Sequence, residues 1–104
     1  MSYVGSDFST TDDVESEVYG LNFAPIMGGG ETIATVTSYL VAISGTDPDA
    51  ATRLVGSPTI NELVVSQMAG PLLANCTYRI GFTILTSLGM TKNLYSHVTC
   101  LAPN

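Results

Sequence analysis

The residues of this chain that could do chemistry are few, and two of them bracket its last predicted hairpin. Cys76 and Cys100 are its two cysteines, and His97 between them is its one histidine. A thiol pair can bridge, bind a metal or carry out redox chemistry, but two cysteines without further ligands make a poor zinc site, and no CxxC spacing is present. With no secretory pattern before them, we expect buried free thiols in a reducing compartment, with a disulfide as the alternative.

The remaining candidates for catalysis or ligand binding are also weak. His97 is predicted to oppose Arg79 across the hairpin, and two potential cations side by side are a poor setting for a general base. The glycines of residues 28–31 lack the lysine of a phosphate loop and precede a strand. The acid pairs at 12–13 and 47–49 match no calcium-binding spacing. The sequence therefore predicts no enzyme, no cofactor and no metal.

The hairpin itself is well specified, because antiparallel pairing about Leu88 sorts its residues onto two different faces. The apolar face pairs Cys76 with Cys100, Tyr78 with Val98, Ile80 with Ser96 and Phe82 with Leu94. The polar face pairs Thr77 with Thr99, Arg79 with His97, Gly81 with Tyr95 and Thr83 with Asn93. We expect Tyr95 to lie over Gly81.

The rest of the chain from Glu17 onward also has the two-residue period of strands, with turn chemistry between them. In residues 32–45 both faces are apolar, so we expect that strand to lie centrally or to meet a partner. A short helical turn is predicted near residues 49–54. These patterns predict an all-β sandwich over residues 17–104.

The composition limits the classes of partner that the protein could bind. Charged residues make up 12% of the chain and hydrophobic residues 45%, whereas about 25% charged is typical of soluble domains. A surface so poor in charge suits a protein that neighbours cover. The net charge of −6 argues against nucleic acid or an anionic membrane as a partner, and no apolar run is long enough to span a bilayer.

Residues 1–16 are predicted to form an acidic, extended arm. The first seventeen residues hold five of the nine acids and no base, so the arm cannot bury much surface by itself. Tyr3, Val4 and Phe8 are either ordinary tail residues or side chains that dock on a neighbour. We expect the arm to add little to the stability of the isolated domain and to become ordered on a partner.

Several short motifs, taken in order, resemble those of small immunoglobulin-like structural proteins of tailed bacteriophages. The motifs are GETI at 30–33, SGTD at 44–47, SQ at 66–67, the tyrosine at 78 and TSLG at 86–89. The likeness covers residues 17 to 95. Asn75 stands where that family commonly has glycine, although asparagine tolerates positive φ, and Met90 makes the following turn less polar than usual.

That resemblance implies an immunoglobulin-like antiparallel β-sandwich with no catalytic role. It implies a component of the virion, made in the host cytoplasm, either an adaptor at the tail or neck (a fibre–tail adaptor) or a capsid decoration protein. The implied partners are portal, tail-fibre or capsid proteins, and further copies of the chain as a homo-oligomer.

Two residues would have structural roles in such a fold. Tyr78 would act as a tyrosine corner that ties down the preceding loop, or pack simply in the core. Gly89 would close the hairpin turn. The rival function is a glycan-binding or adhesin-type module, for which Tyr39 and Tyr95 are the candidate exposed aromatics.

Overall fold

The strands of the chain form two sheets that pack face to face, so the protein is an all-β sandwich. A computed structural model describes residues 2–3, 8, 10–12 and 15–101. Its strands are β1 (Ser2–Tyr3), β2 (Thr11–Asp12), β3 (Glu17–Asn22), β4 (Ile33–Ser44), β5 (Leu54–Asn61), β6 (Val64–Ala69), β7 (Cys76–Thr86) and β8 (Thr91–Leu101). Two short 3₁₀ turns, Ala24–Ile26 and Ala50–Arg53, lie in the connections.

The larger sheet has the order β1–β8–β7–β4, with β2 also paired to β8, and the smaller sheet has the order β3–β6–β5. Apolar side chains at every second position of these strands meet between the sheets, which is the burial that drives a sandwich together. The two clusters so formed are buried around Tyr78 and around Phe82. Within the described residues, no helix has the length and apolarity that a membrane span requires.

The hairpin of β7 and β8 has the predicted register. Cys76 lies opposite Cys100 and Phe82 lies opposite Leu94, and all four side chains are buried. The alternation of apolar and polar residues was enough to fix this register, because a slip of one residue would expose the apolar set.

The strand β4 lies at the edge of the larger sheet and not at its centre. It pairs with β7 alone, through the register that sets Tyr39 opposite Gly81. Among the described residues no second strand lies beside β4, so the expected central position is wrong, and the alternative that β4 meets a partner stays a prediction.

Two segments before Glu17 also belong to the sandwich. Both β1 and β2 run parallel to β8, with Tyr3 beside Tyr95 and Thr11 beside Cys100. The described part of the arm is therefore laid along the outer edge of β8.

The arm side chains contact their own chain. Phe8 donates its backbone N–H to the carbonyl of His97 at 2.9 Å and packs edge-on against Tyr19, with 4.9 Å between ring centroids. Thr11 is buried, and Val4 lies outside the described residues. These contacts differ from the expectation that the arm adds little to stability, because Phe8 packs against both core clusters.

We expect Phe8→Ala to lower the free energy of unfolding by about 2 kcal/mol, below the range for a fully buried phenylalanine because Phe8 is only half-buried. Denaturant unfolding of the purified chain measures this. Leu88→Ala is the matched control, since Leu88 is 67% exposed and its loss should change little. Equal stabilities for the two variants would mean that Phe8 does not hold the arm on the sandwich.

Candidate functional site

The outer face of the larger sheet carries a row of tyrosines that crosses four strands. The strand registers align Tyr39 on β4, Gly81 on β7, Tyr95 on β8 and Tyr3 on β1. We call this row, together with Arg79 and His97 beside it, the aromatic face. Of the two predicted docking residues that the structure describes, Tyr3 lies in this face and Phe8 does not.

The glycine in the row makes room for a ring. A Cβ atom at Gly81 would lie 2.4 Å from the Tyr39 hydroxyl oxygen, so the far end of the Tyr39 ring lies directly on the backbone of β7. The sequence placed Tyr95 over this glycine, whereas the structure places Tyr39 there. The Tyr39 hydroxyl donates to Asn93 Oδ1 at 3.1 Å, and Asn93 in turn donates to Thr83 Oγ1 at 2.9 Å.

The other end of the row is a stack of aromatic rings and the Arg79 guanidinium. The Arg79 guanidinium lies 4.4 Å above the centre of the Tyr95 ring, a distance at which the ring quadrupole attracts a cation. The Tyr3 ring stacks on the His97 ring at 5.2 Å and 20° and leans on Tyr95 at 5.6 Å. Arg79 lies opposite His97, as predicted.

This face can bind by stacking and by hydrogen bonding, but its geometry offers no acid–base pair. The strand positions that point outward on β4, β7 and β8 include no aspartate or glutamate. Its rings, hydroxyls and amide suit a planar or polar partner surface. No family model, curated protein or solved structure matches the chain.

The two cysteines lie away from this face, between the sheets. Both are buried free thiols. The Cys100 thiol lies 3.5 Å from the carbonyl of Leu72, and the Cys76 thiol 3.9 Å from the carbonyl of Thr46. Among the described residues no cluster of three or more potential metal ligands occurs.

Tyr78 is the centre of a buried polar contact that joins several loops. Its hydroxyl donates to Asp47 Oδ2 at 2.6 Å and accepts the backbone N–H of Leu73 at 3.0 Å, which is the tie to the preceding loop that a tyrosine corner makes. Arg53 Nε donates to the same Asp47 oxygen at 2.5 Å, and Arg53 Nη1 donates to the carbonyl of Pro71 at 3.0 Å.

These hydrogen bonds determine the protonation states of Asp47 and Tyr78. The hydrogen bond from Arg53 is the largest effect on Asp47, and with the bonds from Tyr78 and the N–H of Asp49 it holds the pKa of the carboxyl below its usual range despite burial. Burial, and after it the Asp47 carboxylate, raises the pKa of Tyr78. At neutral pH the contact is therefore an aspartate, a neutral phenol and an arginine cation.

Glu31, in the GETI motif, makes a second buried contact. Its Oε1 accepts the N–H of Gly28 at 2.9 Å and lies 3.4 Å from Lys92 Nζ, while Lys92 also donates to the carbonyl of Ile26. A hydrogen bond from Thr86 is the largest cause that lowers the pKa of Glu31. The GETI loop is thus fastened to the hairpin of β7 and β8.

The TSLG motif forms the turn of that hairpin. The Thr86 hydroxyl accepts the N–H groups of Leu88 and Met90 at 3.3 and 3.2 Å, and the Ser87 hydroxyl accepts the N–H of Thr32 at 3.0 Å. Gly89 has φ +79°, a conformation that favours glycine.

Gln67, in the SQ motif, makes the third buried contact. Its Oε1 accepts the Ser38 hydroxyl at 2.8 Å across the two sheets. Its Nε2 donates to the carbonyls of Val55 at 2.9 Å and Met68 at 2.9 Å, and more weakly to that of Gly56. The amide therefore supports the irregular part of β5.

Sequence reasoning did not assign roles to Asp47, Glu31 or Gln67. Each stands in a motif beside glycine or in an apolar strand, where a polar side chain needs a partner if buried. A polar side chain in such a position was the only sign in the sequence that these three residues have buried partners. The partners Tyr78, Lys92 and Ser38 could not be found from it, because they lie in distant segments. Arg53 and Gly28 lie within six residues of the carboxylates that they bind.

We expect Asp47→Asn to destabilise the fold at pH 7 by about 2 kcal/mol or more, because Arg53 and Tyr78 lose a charged acceptor. The folded pKa lies below the ordinary value of 3.8, so the carboxylate stabilises the fold above that pH. This contribution is lost as the pH falls through the folded pKa.

The difference in stability between wild type and Asp47→Asn should therefore shrink as denaturant titrations move from neutral to acid pH. Asp49→Asn removes a neighbouring, exposed carboxylate from the same turn and is the control. A constant difference at all pH values would mean that the ionised carboxylate is not what holds the contact.

Proposed function

We propose that the chain is a non-catalytic structural component of a tailed-phage virion, as an adaptor at the tail or neck or as a capsid decoration protein. The observation that carries this proposal is the uncharged, partly apolar outer face of the smaller sheet. Val18, Met68 and Val55 lie side by side across its three strands and are 61%, 42% and 46% exposed.

The rest of that face is also without charge. Next to the apolar row lie small or polar residues, and the face ends in a row that contains Val64. The outward positions are Val18, Gly20, Asn22, Val55, Thr59, Asn61, Val64, Ser66 and Met68. Contiguous apolar surface of this kind is typical of a protein–protein contact, which supports a place inside a larger assembly.

The sandwich in this proposal is immunoglobulin-like. The order β3–β6–β5 in one sheet and β4–β7–β8 in the other corresponds to the B–E–D and C–F–G arrangement of that fold. The bond from the Leu73 N–H to Tyr78 supports the same assignment. So does the order of the motifs at 30–33, 44–47 and 86–89.

The partners in this proposal are other virion proteins, namely portal or adaptor, tail-fibre or capsid proteins, together with further copies of the chain. Such a chain is made in the bacterial host cytoplasm and acts in the particle. In the particle a neighbouring protein would cover the outer face of the smaller sheet, and its apolar row would lie in an interface that excludes water.

The proposal is tested by mass spectrometry and electron microscopy of purified particles. We expect the chain in the particles, and we expect Met68→Lys to reduce its incorporation severalfold, because the interface would bury an unpaired charge. Met68 is exposed in the isolated chain, so its melting temperature should hardly change.

Leu88→Lys is the matched control, at a hairpin tip that is also exposed. Particles that contain no copy of the chain would reject the virion role. Incorporation that is equal for Met68→Lys and Leu88→Lys would reject this face as the contact.

A second candidate, glycan binding, is favoured by the aromatic face, because tyrosine rings stack on the apolar sides of sugar rings. The Tyr39 ring lies on Gly81 with Asn93 and Thr83 beside it, a combination of stacking surface and hydrogen-bonding groups. Under this function Tyr39→Ala should abolish binding on a glycan array. An array without signal for the wild-type chain removes this candidate.

A further inference from the structure

The two sheets have four outer edges, and three of them are protected against pairing with another chain. The arm covers β8 through β1 and β2. In β5, Pro58 lies where the register shifts between Val55 and Thr59, and β3 is only six residues long and begins with Glu17. Short length, charge, proline and irregularity are the devices by which native sheets block edge-to-edge pairing.

The fourth edge, β4, has none of these devices along its centre. It is twelve residues long and contains no charged residue and no proline. Its pairing with β7 is regular from Thr35 to Ala42. Of the described residues, none between Ile33 and Ser44 makes a backbone bond outside its sheet. The unpaired backbone groups of β4 therefore form an open template for one more strand.

The sequence of β4 has a partial mirror symmetry about Ser38, in which the aliphatic pairs match and the pairs that contain a threonine do not. Reading outward in both directions gives the pairs Thr37 and Tyr39, Val36 and Leu40, Thr35 and Val41, and Ala34 and Ala42. When two such strands lie antiparallel about Ser38, each residue meets its mirror position on the same face of the sheet. Val36 would then meet Leu40 of the second copy on the core side.

We propose that two copies of this chain pair through β4, antiparallel and in register about Ser38, so that their larger sheets become one continuous sheet. The two copies are related by a two-fold axis through Ser38, which makes the contact isologous. It deepens the proposed homo-oligomer, but it is a property of the purified chain and does not depend on a virion.

The pairing pattern about Ser38 is what favours a second copy as the occupant, and charge does not oppose it at this edge. The chain carries a net charge of −6, and like charges that face each other across an interface cost several kcal/mol. The β4 edge avoids this cost, because neither strand contributes a charge. On the outer face, Thr37 of one copy meets Tyr39 of the other, so the two aromatic faces also join.

The first test is the oligomeric state in solution. We expect analytical ultracentrifugation to find a species of twice the 10.9 kDa chain mass. Thr37→Lys should weaken the dimer at least about tenfold, because it places two lysines close to the axis. Thr59→Lys, at a threonine that is also exposed but lies on a strand of the smaller sheet, is the control. At concentrations low enough for the wild type to be monomeric, both variants should melt like the wild type.

The second test fixes the register. In the proposed pairing Thr35 of one copy lies opposite Val41 of the other, whereas two Thr35 residues are six positions apart, roughly 20 Å. A mixture of Thr35→Cys and Val41→Cys chains should therefore form a disulfide-linked dimer on mild oxidation. Either variant alone should not, since the native cysteines are buried.

A wild-type chain that stays monomeric up to about 1 mM overturns the inference. A dimer that Thr37→Lys does not weaken uses another surface and also overturns it. Cross-linking of Thr35→Cys with itself means another register and overturns the symmetry about Ser38. Loss of incorporation by Met68→Lys is independent of all three results, so the two proposals fail separately.

Discussion

The hydrogen bond between the Tyr78 hydroxyl and the Asp47 carboxylate is the contact on which most of the architecture depends. Asp47 ends the connection that leaves β4, and Tyr78 is fully buried in β7. Arg53 joins them from the 3₁₀ turn before β5 and reaches the carbonyl of Pro71 beyond β6. The carboxylate and the Arg53 side chain thereby join two stretches of the chain, one at residues 47–53 and the other at residues 71–78. A buried charge is tolerated only when its bonds are complete, so these segments must arrive together.

Glu31 and Gln67 act in the same way at two other places. Glu31 fastens the loop before β4 to the hairpin through Lys92, and Gln67 bridges the sheets through Ser38. Apolar contacts tolerate small shifts, whereas each polar contact is satisfied in one arrangement only. The apolar clusters therefore supply the driving force for the sandwich, and the three polar contacts select one arrangement of its loops.

How much of the structure the sequence predicts depends on how far apart along the chain the interacting residues are. The register of β7 and β8 could be predicted in full, because alternation along two adjacent strands decides it. The edge position of β4 could not, since strand order depends on which distant strands pair. Tyr39 over Gly81 was missed for the same reason, because its partner comes from a strand about forty residues away. The contacts of Phe8 were missed because charge dominates the composition of its segment, although its ring packs against both core clusters.

The parallel pairing of the arm with β8 has a consequence for the order of synthesis. Ser2 pairs with Leu94 and Thr11 with Cys100, so the ribosome makes each arm residue about ninety residues before its partner. At synthesis rates of about 5–20 residues per second the arm waits roughly 5 to 20 s for β8. An acidic, weakly apolar segment is suited to that interval, because it stays hydrated and does not capture the nascent strands that follow. The arm therefore closes the β8 edge only after β3 to β7 have all been synthesised, and a chaperone that binds before then would meet that edge open.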